Sequence, residues 1–145
     1  MVAIMLVDDN VWFRVRVKMM LDTQPDLNVT AEASDGEEAL RLFENFRPDI
    51  LISDLEMPHK NGFQLLSQLC KQFPGTKCIV LSAYGSKNYL KRAVKAGARA
   101  YVLKDSCGED LLPAIRTVMA EGTFFSAQLE NLASEFMGTE GTDAN

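Results

Sequence analysis

Five short apolar runs alternate with five stretches of helical spacing along this chain, and few folds accommodate that order. Val2-Ala3-Ile4-Met5-Leu6-Val7 is uninterrupted by any polar residue, and Asp49-Ile50-Leu51-Ile52-Ser53 follows Pro48 in the same manner. Runs without polar alternation suit strands buried on both faces of a sheet. Asn28 to Ala33, Lys77 to Leu81 and Arg99 to Leu103 supply three more. Between them, apolar residues recur three and four apart, the period of a helix with one buried face. Phe13, Val17, Met20 and Leu21 mark the first helix, and Pro25-Asp26 breaks it. Ser34-Asp35-Gly36-Glu37 is a capping-box signal for the second, which carries Ala39, Leu42, Phe43 and Phe46. Phe63, Leu65, Leu66 and Leu69 mark the third, closed by Pro74-Gly75. Ser86 caps a fourth, and Gly97 suits its C-terminal turn. That helix has few apolar positions among its lysines and is expected to be the least firmly packed. Ser106-Cys107-Gly108-Glu109 is a further capping-box signal, opening a helix to about Glu121. Pro113 within it implies a later start or distorted first turns. Strand and helix in strict alternation, with short loops, predict an α/β fold: a doubly wound, five-stranded parallel sheet with helices on both faces.

The chain has 145 residues, 47% hydrophobic and 24% charged, enough for one domain with a core. Residues 1–125 hold the alternating pattern. From Ser126 onward Leu129, Leu132, Ala133, Phe136 and Met137 again show helical spacing, and the polar GTEGTDAN stretch that follows is expected to be disordered. Residues 126–145 therefore read as a C-terminal extension. A net charge of −5 offers no basic stripe, so direct nucleic-acid binding is not expected. No apolar run is long enough to span a bilayer, no basic block faces anionic lipid, and MVAIMLVDDN reads as a strand rather than a signal peptide. Cys70, Cys78 and Cys107 fit neither a disulfide framework nor metal-ligand spacing, which suits thiols in a reducing cytoplasm. Met5, Met19, Met20 and Met119 read as core filler.

In a parallel sheet every strand ends on the same edge, and ligands bind there. The sequence places Asp8 and Asp9 after the first strand, Asp54 after the third, Ser82 after the fourth and Lys104 after the fifth. Clustered carboxylates repel and call for a cation or a raised pKa. Hard oxygen ligands on an open edge suit Mg²⁺, or Mn²⁺ in its place. Lysine and a small hydroxyl are suitable donors for phosphoryl oxygens, and Asp54 is a candidate nucleophile. Each residue alone has a plainer reading. Asp8 and Asp9 suit the first turn of a helix, Ser82 can satisfy a loop amide, and Lys104 can be a surface charge. The single histidine, His59, reads as a solvated loop residue rather than a phosphate carrier.

Leu6-Val7-Asp8-Asp9-Asn10, Asp54 with Met57-Pro58 and Gly62, Leu81-Ser82-Ala83, Ala96-Gly97-Ala98 and Tyr101-Val102-Leu103-Lys104 occur in this order and spacing. Over about residues 1–125 the chain thereby resembles the receiver domain of two-component response regulators. The resemblance implies the flavodoxin-like strand order 2-1-3-4-5. It makes Asp54 the residue phosphorylated by a sensor histidine kinase. Asp9, Asp54 and the backbone carbonyl of Glu56 become Mg²⁺ ligands, with Asp8 acting through water. Ser82, Ala83 and Lys104 face the phosphoryl group, and Tyr101 moves with Ser82. Glu56 and Tyr84 flank the site as influences on dephosphorylation. Lys104-Asp105, where lysine-proline is common, looks like the subclass that precedes LuxR-type helix-turn-helix domains, so residues 126–145 suit a linker to such a domain or the end of a single-domain regulator. A homodimer through the face of the fourth and fifth strands and their helices fits the same picture. Such a protein catalyses its own phosphorylation and dephosphorylation and turns over no small molecule. Rival readings are an Asp-nucleophile phosphohydrolase, whose second acid usually lies two residues on, a flavin-binding module, and an inactive receiver-like interaction domain.

Overall fold

A computed structural model describes residues 1–135 of the chain; Phe136, Met137 and the polar tail expected to be disordered lie outside the described residues. The strands are β1 (Val2–Val7), β2 (Leu27–Ala33), β3 (Ile50–Ser53), β4 (Lys77–Ser82), β5 (Ala98–Leu103) and β6 (Phe124–Phe125). They form one parallel sheet in the order β2-β1-β3-β4-β5-β6. Five strands stand in the expected order, and the sixth is an addition. It pairs only Phe124 with Ala100 and Phe125 with Tyr101, and two residues are too few to show any period.

The helices are α1 (Val11–Asp22), α2 (Gly36–Phe46), α3 (Gly62–Gln72), α4 (Lys87–Ala96) and α5 (Cys107–Met119). Successive strand residues point to opposite faces, so each strand feeds two cores. Met5, Val7, Leu51, Val80 and Tyr101 pack with α2, α3 and α4. Ile4, Leu6, Ile50, Ile52, Ile79 and Val102 pack with α1 and α5. The β1 and β3 strands are buried almost throughout, as their unbroken apolar character requires.

Four helix starts show how local chemistry sets the loops at the strand ends. Asn10 caps α1 by accepting from the Phe13 N–H. Asp35, one residue later than the sequence signal, caps α2; the Glu38 carboxylate reaches back to the Ser34 N–H. Asn61 and Gln64 form a reciprocal capping box on α3. The box expected at Ser106 does not form. A 3₁₀ turn over Lys104–Ser106 runs straight into α5, and the Ser106 hydroxyl instead accepts from Gln128 at 3.3 Å. Pro113 lies inside α5, and its ring removes the N–H that would reach the Glu109 carbonyl.

Only Leu90 and Ala93 of α4 are fully buried, against five residues each in α3 and α5. In α1 the number is also two, Val17 and Leu21. The cause differs: α1 turns an apolar face outward, with Trp12 80% and Met19 66% exposed beside Val11 and Val15. Met19 is therefore not core filler, whereas Met5 is fully buried.

The segment after β6 is tied to the sheet. The Ser126 hydroxyl donates to Asp110 at 2.7 Å and accepts from the Leu103 N–H at 3.1 Å. Residues 130–135 are helical, Leu129 and Ala133 are buried, and Leu129 packs beside Gly85 and Leu103.

Gly62 fixes the loop after β3 by close approach. A β-carbon there would lie 2.2 Å from the Asp54 carbonyl oxygen and 2.7 Å from the Leu55 Cα, backbone atoms that cannot step aside. Gly62→Ala is expected to cost about 3 kcal/mol of unfolding free energy, measured by urea denaturation. A loss under about 0.5 kcal/mol would show that this loop yields freely.

Candidate functional site

The carboxyl ends of β1, β3 and β5 bring four charged groups together. Asp8 ends the β1 run and is 5% exposed, Asp54 follows β3 and is 8% exposed, and Asp9 is exposed. One carboxylate oxygen from each of the three acids lies within 4.8 Å of the others. Lys104, just past β5, sets its Nζ 2.7 Å from Asp8 Oδ2 and 3.0 Å from Asp54 Oδ2. The second oxygens are held by backbone: Asp54 Oδ1 accepts the Leu55 N–H at 2.7 Å, and Asp8 Oδ1 accepts the Asn10 N–H at 2.9 Å. Both buried carboxylates are thus fixed at each oxygen.

The charge balance is unequal. Burial pushes the Asp54 carboxyl above its ordinary pKa, against the downward pull of the Lys104 hydrogen bond. Burial alone would lower the Lys104 pKa, but its bonds to Asp8 and Asp54 prevail and raise it, so the ammonium stays charged. Three acids then face one ammonium. Their oxygens are hard ligands on an open edge, so the donor set fits a small divalent cation that keeps part of its water shell. With the cation bound, Asp8, Asp9 and Asp54 would share its charge, which supplies neutralisation for an incoming phosphoryl group.

Ser82, the last residue of β4, is fully buried, and its hydroxyl accepts the Tyr84 N–H at 3.1 Å. Ala83 follows it on the exposed loop. Tyr101 is wholly buried; its hydroxyl donates to the Tyr84 carbonyl and contacts the Ser82 hydroxyl. Burial pushes the Tyr101 phenol up to about 12, so it remains a donor at neutral pH. β5 is an inner strand and seats the Tyr101 ring in the core. Glu56 is exposed, with its carboxylate accepting from the Tyr89 hydroxyl. His59 sits exposed on the same loop at φ 64°.

Three further side chains shape the site. The Lys104 Nζ stands 4.5 Å from the Phe13 ring centroid, a cation–π contact. Arg14 donates to the Asp8 carbonyl and pairs with Glu32 at 3.2 Å. Tyr89 bridges α4 to the loop after β3, its ring edge-on to Tyr84 and Phe63. Phe13 was legible only as an apolar helix position. The roles of Arg14 and Tyr89 depend on how two helices are rotated against loops, for which one sequence holds no signal.

Residues 4–116 match the family model of the response regulator receiver domain. The oxygen regulatory protein NreC of Staphylococcus carnosus is 35% identical over 144 residues, covering 98% of this chain and 66% of that protein. The crystal structure of a two-component response regulator of the LuxR family from Aurantimonas sp. SI85-9A1 is similar at a TM-score of 0.88 and 28% identity, covering 94% of this chain and 97% of that one. A DNA-binding response regulator of the LuxR family from Staphylococcus aureus gives a TM-score of 0.77 and 26% identity, over 81% and 98% of the two chains. The chain spans 58 to 66% of the length of the first curated relatives it matches. The likeness to a DNA-binding regulator overturns the expectation, drawn from net charge, that nucleic acid is no partner. Net charge was the wrong measure: it speaks only for the residues summed, and the chain spans only part of the length of the regulators it resembles. By the family match and these relatives, the chain belongs to the response regulator receiver domain family of two-component systems, in the subclass of LuxR-type regulators.

Proposed function

We propose that the chain is a phosphoacceptor switch in which Asp54 takes a phosphoryl group from the phosphohistidine of a sensor histidine kinase. A carboxylate oxygen of Asp54 attacks phosphorus, the phosphorus–nitrogen bond breaks, and the imidazole leaves with its electron pair. The observation that carries this reading is the buried Asp54 carboxylate, held at one oxygen by the Leu55 N–H and at the other by Lys104. A nucleophile fixed at both oxygens is oriented before the donor arrives, and phosphoryl transfer asks chiefly for position and charge. Mg²⁺, or Mn²⁺, held by Asp9, Asp54 and the Glu56 carbonyl with Asp8 through water, would neutralise the phosphoryl oxygens. Lys104 stays against them after transfer. The Ser82 hydroxyl and the Ala83 N–H donate to the new acyl phosphate, and Tyr101 moves with Ser82. Such a change of state works only through the different affinity of the two states for a partner.

The exposed apolar face of α1, which begins three residues past Asp8, supports a helical protein as phosphodonor. No helix among the described residues is long and apolar enough to cross a membrane, and a cytoplasmic place of action suits the reading. Residues 1–125 form the receiver unit in this proposal, and residues 126–145 extend it. The likeness to LuxR-family regulators supports control of transcription as the output.

The test is intact mass after incubation with a small-molecule phosphodonor, with and without Mg²⁺. The expected result is a phosphoryl adduct that forms only with the metal. Turnover of generic phosphate esters with no accumulated adduct would replace this reading with that of a hydrolase.

A further inference from the structure

Away from the acidic edge, two of the three cysteines meet at the opposite end of the sheet. Cys78, the second residue of β4, is fully buried and faces the α2, α3 and α4 side, where its core neighbours include Leu65, Leu66 and Leu69 of α3. Cys70, in the last turn of α3, is half-buried and packs on the same core. A third position fixes their meeting point. The Cα register pairs Cys78 with Ala98, the residue after Gly97. A β-carbon on Gly97 would lie 2.4 Å from the Cys70 Sγ. The strand register and the helix packing thus converge on Gly97, where the two thiols lie close enough to shift each other's pKa.

We infer that Cys70 and Cys78 form a peroxide-sensitive dithiol, a modification site that closes to an intramolecular disulfide between α3 and β4. In the first step the Cys70 thiolate attacks a hydroperoxide oxygen. The oxygen–oxygen bond breaks, the alcohol or water leaves, and Cys70 becomes a sulfenic acid. In the second step the Cys78 sulfur, giving up its proton, displaces hydroxide from that sulfur as water. Two thiols and one hydroperoxide yield one disulfide, one alcohol (or water) and one water.

The division of labour follows from position and charge. Cys70 is the accessible partner, on the turn of α3 after Ser67. Ser67 lines an open groove between α3 and α4 with Phe63, Arg92, Lys95 and Ala96. The neighbouring Cys78 thiol, with help from the Arg99 charge and against burial, holds the Cys70 pKa down to about 7, so thiolate is present at neutral pH. The same contact and its burial push Cys78 up, which suits a resolving thiol that reacts only with its neighbour. Cys107 lies on the other face, among the α1 and α5 core residues, too far round the sheet to join them.

The test uses the full chain treated with hydrogen peroxide, then denatured and alkylated. The expected wild-type product is two hydrogens lighter, with only Cys107 alkylated and no covalent dimer. Cys107→Ser should lose the same two hydrogens. Cys70→Ser should lose none, and Cys78→Ser should stall at a Cys70 sulfenic acid trapped by dimedone. Near-isosteric serine is chosen so that circular dichroism of each variant can be matched to wild type. Wild-type protein that keeps three alkylatable thiols, over-oxidises Cys70 without closing, or cross-links between chains would overturn the inference.

Discussion

Asp54→Asn protein, incubated with a phosphodonor and Mg²⁺, is expected to keep its mass unchanged while the wild type gains a phosphoryl group. The amide loses the charge that makes the carboxylate a nucleophile, and it removes one anionic ligand from the cation site. The fold should survive. The amide oxygen can still accept the Leu55 N–H, and Lys104 keeps its 2.7 Å contact with Asp8. Stability should if anything rise at neutral pH. Burial holds the Asp54 pKa above its unfolded value, so between those two values the folded state binds more protons than the unfolded one. Stability therefore falls as pH rises through that window, and the ionised carboxylate opposes folding above it. The asparagine variant lacks this loss. Denaturant melts across that pH range, run without divalent metal, are expected to show the wild type falling relative to the variant. An adduct of unchanged yield on Asp54→Asn would transfer the acceptor role to Asp8 or Asp9, and Asp8→Asn would then separate those two.

Lys104→Met should be the more damaging change to the fold and a severe one for the chemistry. The Lys104 side chain is largely buried and its ammonium faces the buried carboxylates of Asp8 and Asp54, so its removal leaves two buried anions without their neutralising partner. Breaking such a pair is expected to cost about 3 kcal/mol in metal-free buffer. Methionine keeps most of the aliphatic stem, including its packing on Phe13, so the loss reports on charge rather than volume. Millimolar Mg²⁺ should recover a substantial part of that stability, because a divalent cation between the acids replaces the missing charge. Equal destabilisation with and without Mg²⁺ would mean that the acids do not share a cation. In the phosphodonor assay the variant should form adduct slowly even with Mg²⁺, since one of the two positive groups facing the phosphoryl oxygens is gone.

The convergence of Asp8, Asp9, Asp54 and Lys104 was legible because it rests on a rule of one dimension, whereas the strand order came only with the resemblance to receiver domains, since periodicity does not order strands. An unbroken apolar run ends, the next residue is acidic or basic, and parallel strands put all such residues on one edge. The cap of α3 at Asn61 and the failed cap at Ser106 were harder. Both sequences offer an acceptor with a polar residue three on, and the choice between them is tertiary: Gln128, from beyond β6, engages Ser106. β6 itself is too short to announce itself and exists because Tyr101 presents a carbonyl to the Ser126 N–H at 3.0 Å. The outward apolar face of α1 also escaped notice, since periodicity identifies a helix without saying which of two apolar stripes meets the sheet. Tyr89, bonded to Glu56 across the mouth of the site, carried no signal at all.

The packing of Leu129 beside Gly85 places a late part of the chain against the loop that carries Ser82, Ala83 and Tyr84. A β-carbon at Gly85 would come within 2.9 Å of the Leu129 Cδ2 and 2.8 Å of the Leu103 Cδ2, so a side chain there would have to displace both leucines. In the proposed switch, the room in which that loop could travel would be set by a leucine remote in sequence, much as a doorstop sets the swing of a door. Sequence drift at position 129 would retune the travel of the loop while leaving every acid at the phosphoryl edge untouched.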